Sequence, residues 1–194
     1  MTQPVGVLSL QGDFREHLQV FQRLGINAQP VRRASELSSI SGLVIPGGES
    51  TTIGKLSRIF ELFDPIKRII EDGLPVFGTC AGLIMLADEI TDGINGQETF
   101  GGLDVVVQRN AFGNQTESFE VDLEFKGIAG AVHAAFIRAP IITKVGDSAQ
   151  IVASLADGRV VGVQQGNRLG ISFHPEVTGE DRIHSYFYDA LVRS

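Results

Sequence analysis

The chain has 194 residues, a single cysteine and a formal net charge of −7, with 16 lysines and arginines against 23 aspartates and glutamates. One cysteine and four histidines exclude an internal disulfide, a zinc finger and a thiolate-held cluster, so we expect no bound metal. The acidic balance argues against nucleic-acid binding, and 43% apolar residues argue against intrinsic disorder. Because no run of ~18 apolar residues and no basic, apolar leader is present, we expect a cytoplasmic protein without a membrane span.

The first half of the chain alternates short apolar runs with patterns of helical period. The apolar runs predict buried strands over residues 5–10, 28–31, 42–45 and 75–78. Pro30 favours an edge position for the second strand, because proline cannot donate a hydrogen bond to a neighbouring strand. This alternation predicts an α/β fold, with an open, mostly parallel central sheet flanked by helices.

Helices are predicted in the intervals between these strands. Asp13 would cap the first helix and Gly25 would end it. Ser50 or Thr51 would cap the second helix, and helical spacing resumes over residues 83–87. The inward face of the second helix is predicted to hold four apolar residues, Ile53, Leu56, Ile59 and Phe60.

The second half of the chain predicts mainly strands. They cover residues 103–109, 119–125, 134–138, 151–156, 159–165 and 168–173. Asp157-Gly158 would join two of them as a hairpin, so additional antiparallel strands are expected here. A final amphipathic helix is predicted from the spacing of Ile183, Tyr186, Phe187, Ala190 and Leu191. No linker or repeat interrupts the pattern, which predicts one domain over residues 1–194.

The single cysteine lies between a predicted strand and a predicted helix, in Gly78-Thr79-Cys80-Ala81-Gly82. A G-x-C-x-G pattern in that place is typical of a nucleophile elbow, with sulfur in place of hydroxyl. The N-terminus of the following helix offers free amides and a positive dipole end, which favour a thiolate and an oxyanion. The alternative is a small buried apolar residue, but the position favours a nucleophile.

Among the four histidines, His174 is the strongest candidate for the base that a thiol nucleophile needs. It follows an apolar strand, and Pro175 favours an extended chain there, so that Glu176 would face the same side. The alternative is an ordinary salt bridge at the end of a strand. His17 and His184 are predicted to be surface or packing residues. His133 lies among small residues and is predicted to have no acidic neighbour close by.

A third cluster, Pro46-Gly47-Gly48-Glu49-Ser50-Thr51-Thr52, follows another predicted strand and opens a helix. Two successive glycines allow backbone N–H groups to point at a carbonyl oxygen or an anion. The spacing of a phosphate-binding P-loop is absent. A plain turn followed by a helix cap would explain the residues equally well.

These three clusters, in this chain order, resemble the class I (triad) glutamine amidotransferases. The stretches around them are similar to the glutaminase subunits of two-component pyridoxal 5′-phosphate synthases, and the resemblance covers nearly the whole chain. It includes residues 8–12, 109–113 and 136–140, of which the last reads Phe-Ile-Arg-Ala-Pro. The resemblance implies a single glutaminase domain with the α/β fold of the class I amidotransferases.

The resemblance also implies a reaction and a set of site residues. Cys80 would attack the side-chain amide of L-glutamine, with His174 as acid and base and Glu176 holding His174 in register. Backbone N–H groups of Gly48 and Ala81 would bind the oxyanion. Substrate-binding positions would be Gly48, Glu49, Ser50, Arg109, Ile137 and Arg138. No cofactor is expected, since pyridoxal 5′-phosphate would be the product of the partner complex.

By the same resemblance, the released ammonia would pass to a synthase subunit with a (β/α)8 barrel, in a large hetero-oligomer. One alternative is a glutaminase that serves another acceptor, such as imidazole glycerol phosphate synthesis. Glu49-Ser50-Thr51-Thr52 argues against that reading. Another alternative is a thiol hydrolase, a redox-sensing protein or a catalytically silent binding subunit on a related scaffold. The intact set of Cys80, His174 and Glu176 argues against a silent subunit.

Overall fold

The computed structural model describes residues 3–109 and 118–193. Within them the strands are β1 (Val5–Leu8), β2 (Ala28–Val31), β3 (Gly42–Ile45), β4 (Val76–Thr79), β5 (Ala87–Thr91), β6 (Leu103–Gln108), β7 (Phe119–Glu124), β8 (Ala131–Phe136), β9 (Ile141–Val145), β10 (Gln150–Ser154), β11 (Val160–Gln165) and β12 (Arg168–Ile171). The helices are α1 (Phe14–Arg23), α2 (Ser50–Ile59), α3 (Phe63–Glu71), α4 (Ala81–Leu86), α5 (Pro175–Thr178) and α6 (Arg182–Tyr186). A 3-10 helix covers Ala34–Ser39, and a π-helical segment covers Phe187–Val192.

A ten-stranded sheet forms the centre of the described part of the chain. Strands β2, β1, β3, β4 and β12 lie side by side in that order, and each neighbouring pair is parallel. Beyond β12 the order continues with β11, β9, β6 and β5, where the first three junctions are antiparallel, and β10 pairs with β11. Strands β7 and β8 form a separate hairpin. The predicted α/β fold, with its parallel sheet and added antiparallel strands, is confirmed.

The core lies on both faces of this sheet, because successive residues of a strand point to opposite sides. In β3, for example, Leu43 and Ile45 join one apolar cluster with Ile53 of α2. Val44, between them, joins a second cluster with Phe21 of α1. The helices are therefore divided between the two faces, as in doubly wound sheets. Every helix in residues 3–109 and 118–193 is too short or too polar to span a bilayer.

Helix α2 differs from its predicted form at both ends. Its N-cap is Glu49, whose carboxylate accepts hydrogen bonds from the backbone N–H groups of Thr51 and Thr52. The predicted inward face is wrong at its C-terminal end, since Ile59 is 61% exposed and Phe60 is 53% exposed. The buried stripe instead runs through Ser50, Ile53 and Ser57. Offsets of three and four define that stripe, so it follows the helical period but is rotated away from the apolar residues.

Three further elements were not expected from the pattern. Helix α4 ends at Leu86, one residue before the end of the predicted helical spacing. The residues after it form β5, which pairs with β6. Strand β9 completes the sheet between β6 and β11. Glu176, predicted in an extended chain, lies in the short helix α5, with Pro175 in its first turn. Proline is favoured there because the first helical N–H has no partner within the helix.

Candidate active site

The carboxyl ends of adjacent parallel strands bring the three predicted clusters together. The glycine pair Gly47-Gly48 follows β3, Cys80 follows β4 directly, and His174 follows β12. A fourth loop, residues 9–13, follows β1 and lies beside the first. Ligand sites in open α/β sheets form at this edge, where several loops converge.

Cys80 lies at a strained turn between β4 and α4. Its φ is 49° and its ψ is −103°, a conformation that residues with a side chain rarely adopt. The flanking Gly78 and Gly82 permit the turn because other backbone atoms lie where their side chains would be. A Cβ on Gly78 would lie 2.5 Å from the carbonyl carbon of Gly82. A Cβ on Gly82 would lie 2.8 Å from the carbonyl carbon of Ile45. The structure therefore has the predicted elbow geometry, with the cysteine directly before the first helical residue.

His174 and Glu176 form a buried pair next to this cysteine. Nδ1 of His174 lies 2.6 Å from Oε1 of Glu176. The backbone N–H of His174 donates to the carbonyl of Ala135 in β8, which fixes the start of α5. The two side chains face each other although Glu176 is helical, because the short helix turns the carboxylate back toward the imidazole.

The charges of the pair follow from these contacts. Burial lowers the pKa of His174, but hydrogen bonding to the Cys80 sulfur and to Glu176 outweighs it and raises that pKa to about 10. Burial raises the pKa of Glu176, but the neighbouring His17 and His174 outweigh it and hold that pKa below its ordinary value. At neutral pH His174 is therefore protonated and Glu176 is ionised, as expected for an imidazolium between sulfur and carboxylate.

The glycine loop packs directly on this imidazole. A Cβ on Gly47 would overlap Cε1 of His174, so only glycine allows the ring to lie where it does. Gly48 has a φ of 147°, which also requires glycine. The loop is held from the other side, because Asp13 N–H donates to the carbonyl of Gly47 at 3.1 Å and Glu49 N–H donates to Oε1 of Gln11 at 2.9 Å.

Asp13 has a different place from the one predicted. It precedes α1 at the N-cap position, but its side chain makes no capping hydrogen bond. Its Oδ2 instead lies 3.6 Å from Nδ1 of His174. Burial raises the pKa of Asp13 above its ordinary value, and the nearby Glu176 acts in the same direction, although His174 opposes both. Asp13 thus belongs to the site, and the sequence pattern did not identify it.

Three of the predicted substrate-binding residues form one network beside the glycine loop. Nη2 of Arg109 lies 3.0 Å from Oε1 of Glu49. Nη1 of Arg109 donates to Gln97 Oε1 at 2.8 Å, and Nε2 of Gln97 donates to Ser50 Oγ at 2.9 Å. Gln97, which links Ser50 to Arg109, was not predicted. The adjoining positions of the 109–113 stretch lie outside the described residues.

The remaining predicted residues flank the cysteine. The carbonyl oxygen of Ile137 lies 4.0 Å from Sγ of Cys80, and the Ile137 side chain is partly exposed. Arg138, next in the chain, has a φ of 49°. Ala81 is the first residue of α4, where backbone N–H groups lack acceptors within the helix.

Comparison with known proteins identifies the family. The model of the SNO glutamine amidotransferase family matches residues 7–193. The chain belongs to the SNO glutamine amidotransferase family. The resemblance that the motifs indicated is thereby confirmed, on almost the full length of the chain.

Individual relatives of this SNO-family chain agree with that assignment. It is 60% identical over 188 residues to "Pyridoxal 5′-phosphate synthase subunit PdxT" of Clavibacter michiganensis subsp. michiganensis. This match covers 96% of this chain and 90% of the relative. It is 53% identical over 194 residues to the protein of the same name from Streptomyces coelicolor. This match covers 100% of this chain and 95% of the relative. A crystal structure of a glutamine amidotransferase is similar at a TM-score of 0.91 and 49% identity, over 98% of this chain and 99% of that one.

The SNO-family chain also carries two fully buried histidines, and one of them lies next to Glu176. His17 of α1 and His184 of α6 are 0% exposed, so the surface alternative for them is wrong and the packing alternative is confirmed. Nδ1 of His17 lies 2.8 Å from Nε2 of His184. The signal was present in the sequence, since His17 is three residues after Phe14 and four before Phe21 on the same helical face.

The fourth histidine lies elsewhere. His133 is exposed on β8, with Nδ1 2.7 Å from Asp122 Oδ1 and Nε2 3.0 Å from Glu120 Oε2, both on β7. The prediction that it lacks acidic neighbours is wrong, because antiparallel pairing places Asp122 opposite His133. These two carboxylates raise the pKa of His133.

Proposed function

We propose that Cys80, His174 and Glu176 form the catalytic triad with which this glutamine amidotransferase hydrolyses L-glutamine. One observation carries the proposal: the imidazole that Glu176 holds at Nδ1 also interacts with the strained cysteine at the start of α4, whose sulfur helps to raise the pKa of His174. Nucleophile, base and orienting carboxylate occur in that order, which is the arrangement that acyl transfer through a thioester requires.

The reaction follows from these positions. The Cys80 thiolate attacks the δ-carbonyl carbon of glutamine, and the carbonyl oxygen becomes an oxyanion in the tetrahedral intermediate. Backbone N–H groups of Gly48 and Ala81 would stabilise that charge. His174 then gives its proton to the leaving nitrogen, so that ammonia departs and a γ-glutamyl thioester remains. The neutral imidazole takes a proton from water, the resulting hydroxide attacks the thioester, and glutamate leaves as the thiolate is regenerated.

The network at Glu49 and Arg109 matches the other end of the substrate. Glutamine carries an α-carboxylate and an α-ammonium group. An arginine fork suits the carboxylate, and a glutamate carboxylate suits the ammonium. Arg109 and Glu49 already pair at 3.0 Å, so both charges are positioned before the substrate arrives. Ser50, Ile137 and Arg138 would complete the glutamine site.

No cofactor or metal is part of the proposed mechanism. Nucleophilic attack, oxyanion binding and both proton transfers are assigned to Cys80, to backbone N–H groups and to His174. Pyridoxal 5′-phosphate would be the product formed on a partner and not a group held by this chain.

We further propose that the ammonia is used by a synthase subunit in the formation of pyridoxal 5′-phosphate. Relatives at 53–60% identity over nearly the whole chain are named as subunits of that synthase. By the resemblance of the sequence, the partner would be a (β/α)8 barrel within a larger hetero-oligomer. A location in the cytoplasm remains part of this proposal.

The test is to mix the purified chain with the synthase subunit and to measure ammonia released from glutamine. We expect release with the wild-type protein and none with Cys80→Ala, while His133→Gln, an exposed change on the β7–β8 hairpin, retains full activity. Full activity of Cys80→Ala would show that the mechanism is wrong. Ammonium salts should replace glutamine and this subunit in product formation by the synthase. If they fail at high concentration, delivery of free ammonia is contradicted.

A further inference from the structure

Glu176 uses only one of its two carboxylate oxygens to hold His174. Its Oε1 lies 2.6 Å from Nδ1 of His174, but Oε2 is buried and has no hydrogen-bond partner among the described residues. Nε2 of His17 lies 3.8 Å from that oxygen, and both side chains are 0% exposed. A buried carboxylate oxygen without a hydrogen bond costs free energy of folding, so the neighbouring His17 is expected to compensate part of that cost.

His17 is fixed at both ring nitrogens. Nδ1 lies 2.8 Å from Nε2 of His184, and Nε2 lies 3.2 Å from the hydroxyl of Thr79, in addition to its approach to Glu176. The four residues come from α1, α6, β4 and α5, so the cluster ties the carboxylate to the scaffold behind the site. Burial lowers the pKa of both His17 and His184, and the two rings are therefore neutral.

The hydrogen bond between two neutral rings contains one proton, and its position decides what faces Glu176. If His184 donates from Nε2, His17 accepts at Nδ1 and carries its own proton on Nε2, where it can donate to the Thr79 hydroxyl on the side of the ring that lies 3.8 Å from the carboxylate. Nδ1 of His184, which is buried and has no hydrogen-bond partner within residues 3–109 and 118–193, is then only an unused acceptor. In the opposite arrangement that atom is a buried N–H without a partner, and a lone pair of His17 faces the carboxylate. The first arrangement is favoured, because orphaned donors and facing lone pairs both cost free energy.

We propose that His17 is a positioning residue for the triad: its Nε2–H donates to the Thr79 hydroxyl, and this N–H group, 3.8 Å from Oε2 of Glu176, attracts the carboxylate into the rotation that presents Oε1 to His174. His184 fixes the tautomer that makes this possible. At 3.8 Å the contact is electrostatic and longer than a hydrogen bond, but both side chains are fully buried, and such attraction is strengthened by burial. The inference rests on the proposed function, because it concerns the orienting member of that triad.

Two substitutions at position 17 separate the two ring nitrogens. The amide nitrogen of glutamine reaches about as far as Nε2, whereas the amide of asparagine reaches only about as far as Nδ1. His17→Gln therefore keeps a donor toward Glu176 and loses the acceptor for His184. His17→Asn keeps the acceptor for His184 and loses the donor toward Glu176. The positioning role predicts more activity in His17→Gln, and a role in packing alone predicts more activity in His17→Asn.

The experiment measures steady-state glutamine hydrolysis by each variant with the synthase subunit, normalised to the fraction of Cys80 that a thiol reagent titrates. We expect His17→Asn to lose about tenfold in kcat with an unchanged KM, since His17 is fully buried and would act only through Glu176. We expect His17→Gln to stay within about threefold of wild type. Equal kcat values, or the reverse order, would overturn the inference.

A second pair of variants covers the case in which changes at position 17 prevent folding. His184→Gln keeps a donor at the position of Nε2 and should leave kcat nearly unchanged. His184→Leu removes that donor, frees the tautomer of His17 and should lower kcat several-fold at constant KM. Equal kcat values in this pair would contradict the inference. If wild-type protein and Cys80→Ala are equally inactive, the proposed function fails and the inference fails with it, whereas an active wild type with unaffected variants contradicts the inference alone.

Discussion

The imidazole of His174 lies directly on the α-carbon of Gly47. A Cβ at position 47 would overlap Cε1 of the ring and lie 3.1 Å from its Nδ1, the atom that faces Glu176. The glycine loop after β3 and the histidine after β12 are therefore fitted to each other. A change in the loop must displace the proposed acid and base, even though the loop contributes only backbone groups to the reaction.

Gly47→Ala tests this fit. We expect kcat for glutamine hydrolysis to fall by more than tenfold, because small displacements of a catalytic group are costly. The matched control is Gly54→Ala in α2, where a Cβ would meet its nearest atom, Cε of Met85, at 3.7 Å. That variant should keep full activity and gain about 0.5–1 kcal/mol in the free energy of unfolding, since alanine is the better helix former. Wild-type activity in Gly47→Ala would show that the ring can shift without loss.

The protonation of His174 gives a second prediction. Its pKa rises from an ordinary 6.5 to about 10, against the effect of burial, through contacts with Cys80 and Glu176. A raised histidine pKa stabilises the folded protein fully below the unfolded pKa, and this contribution is lost as the pH rises through the folded pKa. The free energy of unfolding should therefore decline between about pH 6.5 and pH 10 from this group.

The variant that tests this is Glu176→Gln, which removes the carboxylate but keeps the shape. The pKa of His174, followed by NMR of its Cε1–H, should fall in the variant, and the loss of stability should begin at lower pH. His133 provides an internal control in the same spectra, because its partners Asp122 and Glu120 are unaffected. An unchanged pKa of His174 would mean that Glu176 does not stabilise the imidazolium.

Much of this site follows from the sequence, for physical reasons that particular residues make clear. Cys80 could be placed because a G-x-C-x-G turn between strand and helix is a local pattern, and the short spacing between His174 and Glu176 could place that pair. The partners of Gly47 could not be placed. The hydrogen bonds of Asp13 to Gly47 and of Gln11 to Glu49 depend on the parallel pairing of β1 with β3, which joins segments that are distant in the chain.

Other misses have different causes. Glu49 is not among the preferred N-cap residues, so Ser50 and Thr51 were favoured as the cap of α2. Glu49 instead caps with a longer side chain, which also accepts from Arg109. The prediction for His17 is a surface or packing residue, because its place next to Glu176 depends on how α1 meets α5, which no local pattern shows.

The pair of Arg109 with Glu49 predicts how the substrate is held. Arg109→Lys keeps the positive charge but removes the planar fork that contacts Glu49 and Gln97 together. We expect KM for glutamine to rise by about tenfold with a smaller effect on kcat, because the contact is made equally to ground state and transition state. Arg23→Lys, at an exposed pair with Asp181, is the control and should leave both constants unchanged. A fall in kcat alone would place Arg109 outside the glutamine site.

Gln11 gives the last prediction, because it supports the glycine loop without belonging to the triad. Its Oε1 accepts the N–H of Glu49 at 2.9 Å, and a Cβ on Gly48 would lie 3.0 Å from its Cδ. Gln11→Leu has nearly the same size but no acceptor, so the loop loses the hydrogen bond next to Gly48 at a cost of about 1 kcal/mol. If the N–H of Gly48 binds the oxyanion, the looser loop should lower kcat several-fold while KM changes little. The control is Gln29→Leu at the sheet edge, where the amide of Gln29 donates to the Ser39 hydroxyl; this variant should retain wild-type kinetics. Thermal unfolding of both variants separates a loss of stability from a loss of catalysis. If kcat of Gln11→Leu falls by more than the loss of folded protein explains, Gln11 supports the oxyanion loop. If kcat equals that of wild type, Gln11 does not have that role.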